Sequence, residues 1–189
     1  MSTGNQILEN QIREIYGRVV YTHKTHEKCA EILESRSNNL KIVEILLSAL
    51  TTTSILVALF GDGKISQLIA TIFSTCSLCL TLYLKDYNLM ATAEKHKQSA
   101  LNILIIREKL FSLIVDLNLG ETSIVDLQKR RDELNEELAN SLKVAPNTFS
   151  KAYKKASIAL QENEEFTFSA REIDNFLPEN LRRNSNRDN

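Results

Sequence analysis

Two long runs without a charged residue, 45–61 and 65–84, stand back to back near the middle of the chain, with only Asp62, Gly63 and Lys64 intervening. At a rise of about 1.5 Å per residue, a helix over 65–84 reaches roughly the 30 Å of a bilayer's hydrocarbon core, and 45–61 lies near the lower limit of about 17 residues for a spanning helix. Amphipathic helices of a soluble bundle carry charge on an outer face, and neither run does. The expectation is an all-α membrane protein with a two-helix transmembrane hairpin at 42–85, its spans at 44–61 and 65–84. A hairpin buried in a soluble bundle is the competing reading, because length alone does not separate the two. Gly61, Asp62 and Gly63 are the candidate turn, since glycine permits a tight reversal and Asp62 prefers the wet edge. Asp62 has a second reading, as a ring at the outer mouth of an assembly.

The rest of the composition agrees with helices. Five Gly, two Pro and no Trp leave long stretches free of breakers, against an all-β or dinucleotide-binding fold. A net charge of -1 gives no general attraction to nucleic acid, and the lipid bilayer is the partner expected from the two uncharged runs. Three cysteines, Cys29, Cys76 and Cys79, are an odd number, two of them in an apolar run, which fits a reducing compartment better than a disulfide framework. The polar start has no basic segment followed by an apolar core, so insertion is expected from the internal segments. Lys28, Arg36 and Lys41 precede the first run and Lys85, Lys95 and Lys97 follow the second, while the loop has Lys64 alone. The positive-inside bias then puts both termini in the cytoplasm.

Outside the runs, alternating spacings of four and three mark a coiled-coil seam. In the N-terminal helix (1–41) it reads Leu8, Ile12, Ile15, Val19, Thr22, His26, Cys29, Leu33, Arg36 and Leu40. In the helix over 86–118 it reads Leu89, Ala93, His96, Ala100, Ile103, Arg107, Leu110, Ile114 and Leu117. The two should pair antiparallel as a long cytoplasmic stalk, with the polar seam residues setting register, although imperfect amphipathic helices would give a similar pattern. C-terminal cytoplasmic helices occupy 119–178, one opened by a capping-box pattern at Ser169 and Glu172, and 179–189 reads as a disordered tail.

The apolar runs are not uniformly apolar. Residues 51–54 are three threonines and a serine, which sweep about 300° of a helix and cannot all face one neighbour. Back-bonding to the carbonyl four residues earlier would reduce their cost in lipid. In the second run Gln67, Thr71, Ser74 and Thr81 share a stripe, with Ile69, Ile72, Phe73, Cys76, Leu80 and Tyr83 opposite on a lipid-facing side. The bland account is close helix packing through small hydroxyl residues. The sharper one makes Thr51, Thr52, Gln67, Thr71, Ser74 and Thr81 candidate pore-lining residues of a homo-oligomer, whose neutral lining would select weakly among ions.

No catalytic, cofactor-binding or metal site is expected. His26 and Cys29 share a helical face near His23 and Glu27, but the seam already accounts for both and no compact ligand set completes a site. The Cys76 and Cys79 pair lies inside an apolar helix, away from any redox-type turn. No glycine-rich phosphate loop is present, and no Ser, His and Asp set stands out, so an enzyme is not the expectation.

Nearly the whole arrangement resembles the SLATT superfamily of two-transmembrane effectors associated with nucleotide-signalling bacterial conflict systems. The resemblance is carried by "ESRSNNLKIVEILLSA", the hairpin, "YLKDYNLMATAEKHKQSALNILIIREKL" and a closing "AYKKASIALQENEEFTFSAREIDNF" with Tyr153, Glu162, Asn163 and Asp174 at comparable places. Glu164 stands where relatives often have His. The resemblance implies a bacterial inner-membrane, pore-forming effector of an antiviral, abortive-infection system, triggered by a nucleotide-signalling or sensor protein partner. The alternative is a non-conducting scaffold that recruits a cytosolic sensor or enzyme through its stalk.

Overall fold

The computed structural model describes residues 3–60 and 64–183, so the candidate turn Gly61, Asp62 and Gly63 and the last six residues of the expected tail lie outside the described residues. Every regular element among the described residues is helical: α1 (Thr3–Phe60), α2 (Lys64–Asp86), α3 (Leu89–Leu119), α4 (Ile124–Val144), α5 (Ser150–Gln161), α6 (Ala170–Phe176) and a short 3-10 turn at Glu179–Leu181. That turn falls within the stretch expected to be disordered. Its neighbourhood is tied down by the Arg182 Nε donating to the Leu177 carbonyl at 2.9 Å and the Arg183 N–H donating to Asp174 Oδ1 at 3.2 Å.

α1 is one unbroken helix of 58 residues, about 87 Å long at the usual rise, joining the N-terminal seam to the first apolar run. No glycine or proline occurs between residue 18 and its end, so nothing in the backbone interrupts it. The return path does break. α2 gives way to α3 at Tyr87 and Asn88, where the Asn88 side chain accepts from the Ala91 N–H at 2.9 Å and caps the new helix. α3 ends at Gly120, whose φ of 73° is the left-handed conformation that glycine adopts without strain.

α1 is the spine: α2 packs along its last third, and α3 and α5 along the rest, with α4 covering α3. The core is a ladder of Leu8, Ile12, Ile15 and Val19 from α1 against Ile103, Ile106, Leu110, Leu113 and Leu117 from α3, with Leu127 and Leu134 added by α4. Each such burial contributes roughly 1.5–3 kcal/mol. The expected seam needs two adjustments. On α1, Arg36 is exposed and Ser37 is buried in its place. On α3, Ile106 and Leu113 are buried while the expected Arg107 and Ile114 are half-covered, because α4 lies on that flank and draws the buried stripe one residue toward itself.

Candidate functional site

Among the described residues, the apolar end of the molecule buries Ala70 alone. Ile42, Val43, Ile45, Leu46, Leu50, Ile55, Leu56, Val57, Leu59 and Phe60 of α1 are all exposed, as are Ile65, Leu68, Ile69, Ile72, Leu78 and Leu82 of α2. Within the most apolar 18-residue stretch of α1 no residue is buried. A continuous apolar surface of this size is far beyond what a protein in water leaves uncovered. α1 and α2 are both long and apolar enough to cross a membrane.

The contact between these two helices continues the four-and-three spacing of the seam. Glu44, Leu47, Thr51, Ser54 and Ala58 are the partly covered positions of α1, and on α2 Ala70 is buried in a row with the partly covered Ser66, Phe73, Ser77, Leu80 and Leu84. Small side chains predominate, which lets the backbones come close. Two polar bonds cross at the end nearer the core: the Thr81 hydroxyl donates to Glu44 Oε1 at 2.8 Å, and Arg36 Nη2 donates to the Tyr83 hydroxyl at 3.2 Å.

Of the candidate pore-lining residues, Thr51 lies on this contact, while Thr52, Gln67, Thr71, Ser74 and Thr81 are exposed. Phe73, Leu80 and Tyr83, expected on the lipid-facing side, are half-buried instead, Phe73 and Leu80 on the contact row and Tyr83 in its bond to Arg36. The surface of the pair therefore divides in three. When α2 runs back along α1, positions one residue past the contact row on either helix fall on the same side. That side collects Ser48, Thr52, Gln67, Thr71, Ser74 and Thr81, interspersed with Ile45, Ile55, Leu59 and Leu78, all exposed. The opposite side, one residue before the row, collects Val43, Leu46, Leu50, Val57, Ile65, Ile69, Ile72, Cys76 and Cys79, with Thr53 the hydroxyl among them.

The hydroxyls settle locally. Thr51, Thr52 and Thr53 donate to the carbonyls of Leu47, Ser48 and Ala49 at 2.8, 3.0 and 3.0 Å, and Thr71 and Thr75 donate to those of Gln67 and Thr71 at 2.9 Å each. The hydrogen of each of these five hydroxyls is thus satisfied within its own helix, which removes most of its cost in an apolar medium and leaves oxygen lone pairs facing outward.

A second polar concentration, which sequence reasoning divided among seam positions, lies between α1 and α3. His26 and His96 are buried with their Nδ1 atoms 2.9 Å apart. Burial lowers the His26 pKa to about 4, helped by His96 and His23, and burial lowers that of His96 too. His23 is likewise lowered, by burial first, with Glu27 opposing and Arg107 and Lys24 reinforcing. Phe166, from the segment after α5, stacks on the His23 ring with centroids 5.6 Å apart and receives Lys24 and Arg107 on its face at 4.7 and 4.5 Å. Burial alone would lower the Lys24 pKa, but its bonds to Glu165 and Glu27 outweigh that and raise it. The Cys29 thiol, pushed up by burial against a bond from the Phe149 N–H, lies on the same helix face as His26. Among the described residues no three His, Cys, Asp or Glu side chains are grouped to hold a metal ion. The signal that would have found this cluster is that the chain has just three histidines and two of them occupy seam positions.

Residues 8–172 match the profile of the SMODS and SLOG-associating 2TM effector domain family 4. No curated protein and no solved structure matches the chain.

Proposed function

Because the chain belongs to the SMODS and SLOG-associating 2TM effector domain family 4, the match taking in most of its length, we propose that it is a pore-forming effector of a bacterial antiviral system. In this reading α1 and α2 form a transmembrane hairpin in the inner membrane, with both termini in the cytoplasm, and α1 with α3 forms the stalk. Several copies assemble with the hydroxyl side inward and the apolar side toward lipid, and a signal from a nucleotide-linked or other sensor partner opens the assembly, halting the infected cell. The effector acts by permeabilising the membrane and carries out no catalysis.

The observation that carries this reading is the concentration of Ser48, Thr52, Gln67, Thr71, Ser74 and Thr81 from two helices on one exposed side, among Ile45, Ile55, Leu59 and Leu78, whereas the opposite side has Thr53 as its hydroxyl. The test is dye release from vesicles containing the purified full chain, and loss of membrane potential in expressing cells, against a variant with Thr71→Leu and Ser74→Leu. Release should fall strongly in a variant that still inserts. Undiminished release would rule out a hydroxyl-lined path.

The scaffold alternative draws on the exposed Phe168, Phe176 and Leu181 at the C-terminal end, an apolar surface fit for a cytosolic protein. It requires no ion flux at any expression level, together with capture of that protein by the soluble helices.

A further inference from the structure

All three histidines of the chain, His23, His26 and His96, are buried against the α1–α3 seam. Two of them meet. His26 is 2% exposed and His96 1%, and only 2.9 Å separates their Nδ1 atoms. At that separation one nitrogen donates the proton and the other accepts it, so the pair holds together only while at least one Nδ1 is bare. A second proton would set two N–H groups, each on a cation, against one another in a site with little water to screen them.

The surrounding charges are already engaged. On α1, Glu27 accepts from Lys24 at 2.9 Å and lies 3.6 Å from His23 Nε2. From the segment after α5, Glu165 pairs with the same Lys24 at 2.5 Å. On α3, Glu108 pairs with Arg107 at 2.7 Å. α5 buries Ala152, Ala156 and Ala159, which bring no charge to α1. The carboxylates on hand therefore hold Lys24, His23 and Arg107, and each ring of the pair bonds to the other.

We propose that His26 and His96 form an acid-opened clasp: neutral, they share one proton across the α1–α3 seam, and doubly protonated they drive the two helices apart. α1 runs unbroken from this clasp to Phe60, so a displacement at His26 is carried by a stiff rod into the apolar segment, about 28 Å further on. The sign follows from the lowered proton affinity of the folded state. The clasp contributes its full stability above the unfolded histidine pKa of about 6.5 and loses it as the pH falls from there toward about 4, the value at His26. His23, lowered as well, adds in the same direction.

The experiment uses the full chain in detergent micelles, labelled with nitrogen-15 at its three histidines, together with a variant carrying His26→Leu and His96→Leu. In the wild type, two of the three imidazoles should titrate as a coupled pair below about 6.5, and the folding constant should fall by up to about tenfold per pH unit for each proton taken up. The variant should show a flatter profile, its remaining dependence that of His23 and the carboxylates. Independent titration of both rings near about 6.5 overturns the clasp, and so does a variant that keeps the wild-type profile. The ring titration needs no variant and decides the matter even if the variant fails to fold.

Coupling to permeability rests on the pore reading and is measured separately, as dye release from vesicles against pH. Release that rises on acidification in the wild type alone supports both. An intact coupled titration with no release at any pH overturns the pore reading and leaves the clasp standing. Release that rises equally in both proteins overturns the coupling.

Discussion

Along α1 the same four-and-three spacing produces two opposite outcomes. Over its first half the contact row is Leu8, Ile12, Ile15 and Val19, buried against α3, and the outward positions, Ile7 and two glycines apart, are charged or polar. Over its last third the row is Leu47, Thr51, Ser54 and Ala58, mostly small and partly polar, and the large apolar residues, Leu47 apart, are among the outward positions, together with Ser48, Thr52 and Thr53. The pattern is turned inside out. A region that folds in water places its apolar bulk in the contact, because burial supplies the driving force. A region folded in lipid gains nothing by hiding leucine from an equally apolar solvent, so its contacts use small and hydroxyl-bearing residues.

That contrast can be broken by substitution. The largest effect is expected where burial does the holding: Leu110→Ala or Ile12→Ala should cost about 2–5 kcal/mol in the unfolding of the α1–α3 body, read by urea titration in detergent, without changing the fraction of protein in the membrane. Equal losses from truncating the exposed Leu56 would deny the two regions any difference.

Next comes a matched pair. Ile72 on α2 and Ile105 on α3 are both 53% exposed. Lysine at Ile72 should cost about 2.5–3.5 kcal/mol against insertion, seen as protein lost from the membrane pellet. Lysine at Ile105, facing water, should change stability by no more than about 0.5 kcal/mol. If both substitutions are silent, α2 does not lie in lipid.

Smaller effects sharpen the water-soluble side. Phe166→Ala removes the ring that Lys24 and Arg107 cover, and should cost about 1–2 kcal/mol with faster proteolysis of the segment after α5. Ser169→Ala removes the N-cap that accepts from the Glu172 N–H and should cost about 1 kcal/mol, confined to α6 and visible as faster hydrogen exchange there alone.

Much of this architecture was legible. The uncharged runs announce helices that can cross a membrane, and the capping pair at Ser169 and Glu172 and the stop at Gly120 are local chemistry that a sequence states directly. The candidate hydroxyls were legible as a stripe on one helix. Their gathering from both helices was not, because which side of α2 meets α1 depends on the relative rotation of the two, and no periodicity within one helix specifies it. The same limit hid the contact role of Phe73 and Leu80. It also concealed the shift of the α3 stripe to Ile106 and Leu113, which depends on the position of α4.

The sequence by itself determined the helical character of the chain, the length and apolarity of the two runs, and the four-and-three rhythm, since all of these follow from residue type and spacing along one strand of backbone. Only the tertiary structure decided which residues meet: that α1 is continuous from the seam into the apolar run, that hydroxyls collect on one side of a helix pair, and that His26 faces His96 seventy positions away. The physical reason is that propensity and periodicity act within a few residues, whereas the pairing of two imidazoles is set by how two helices rotate and slide until both bury their rows at once.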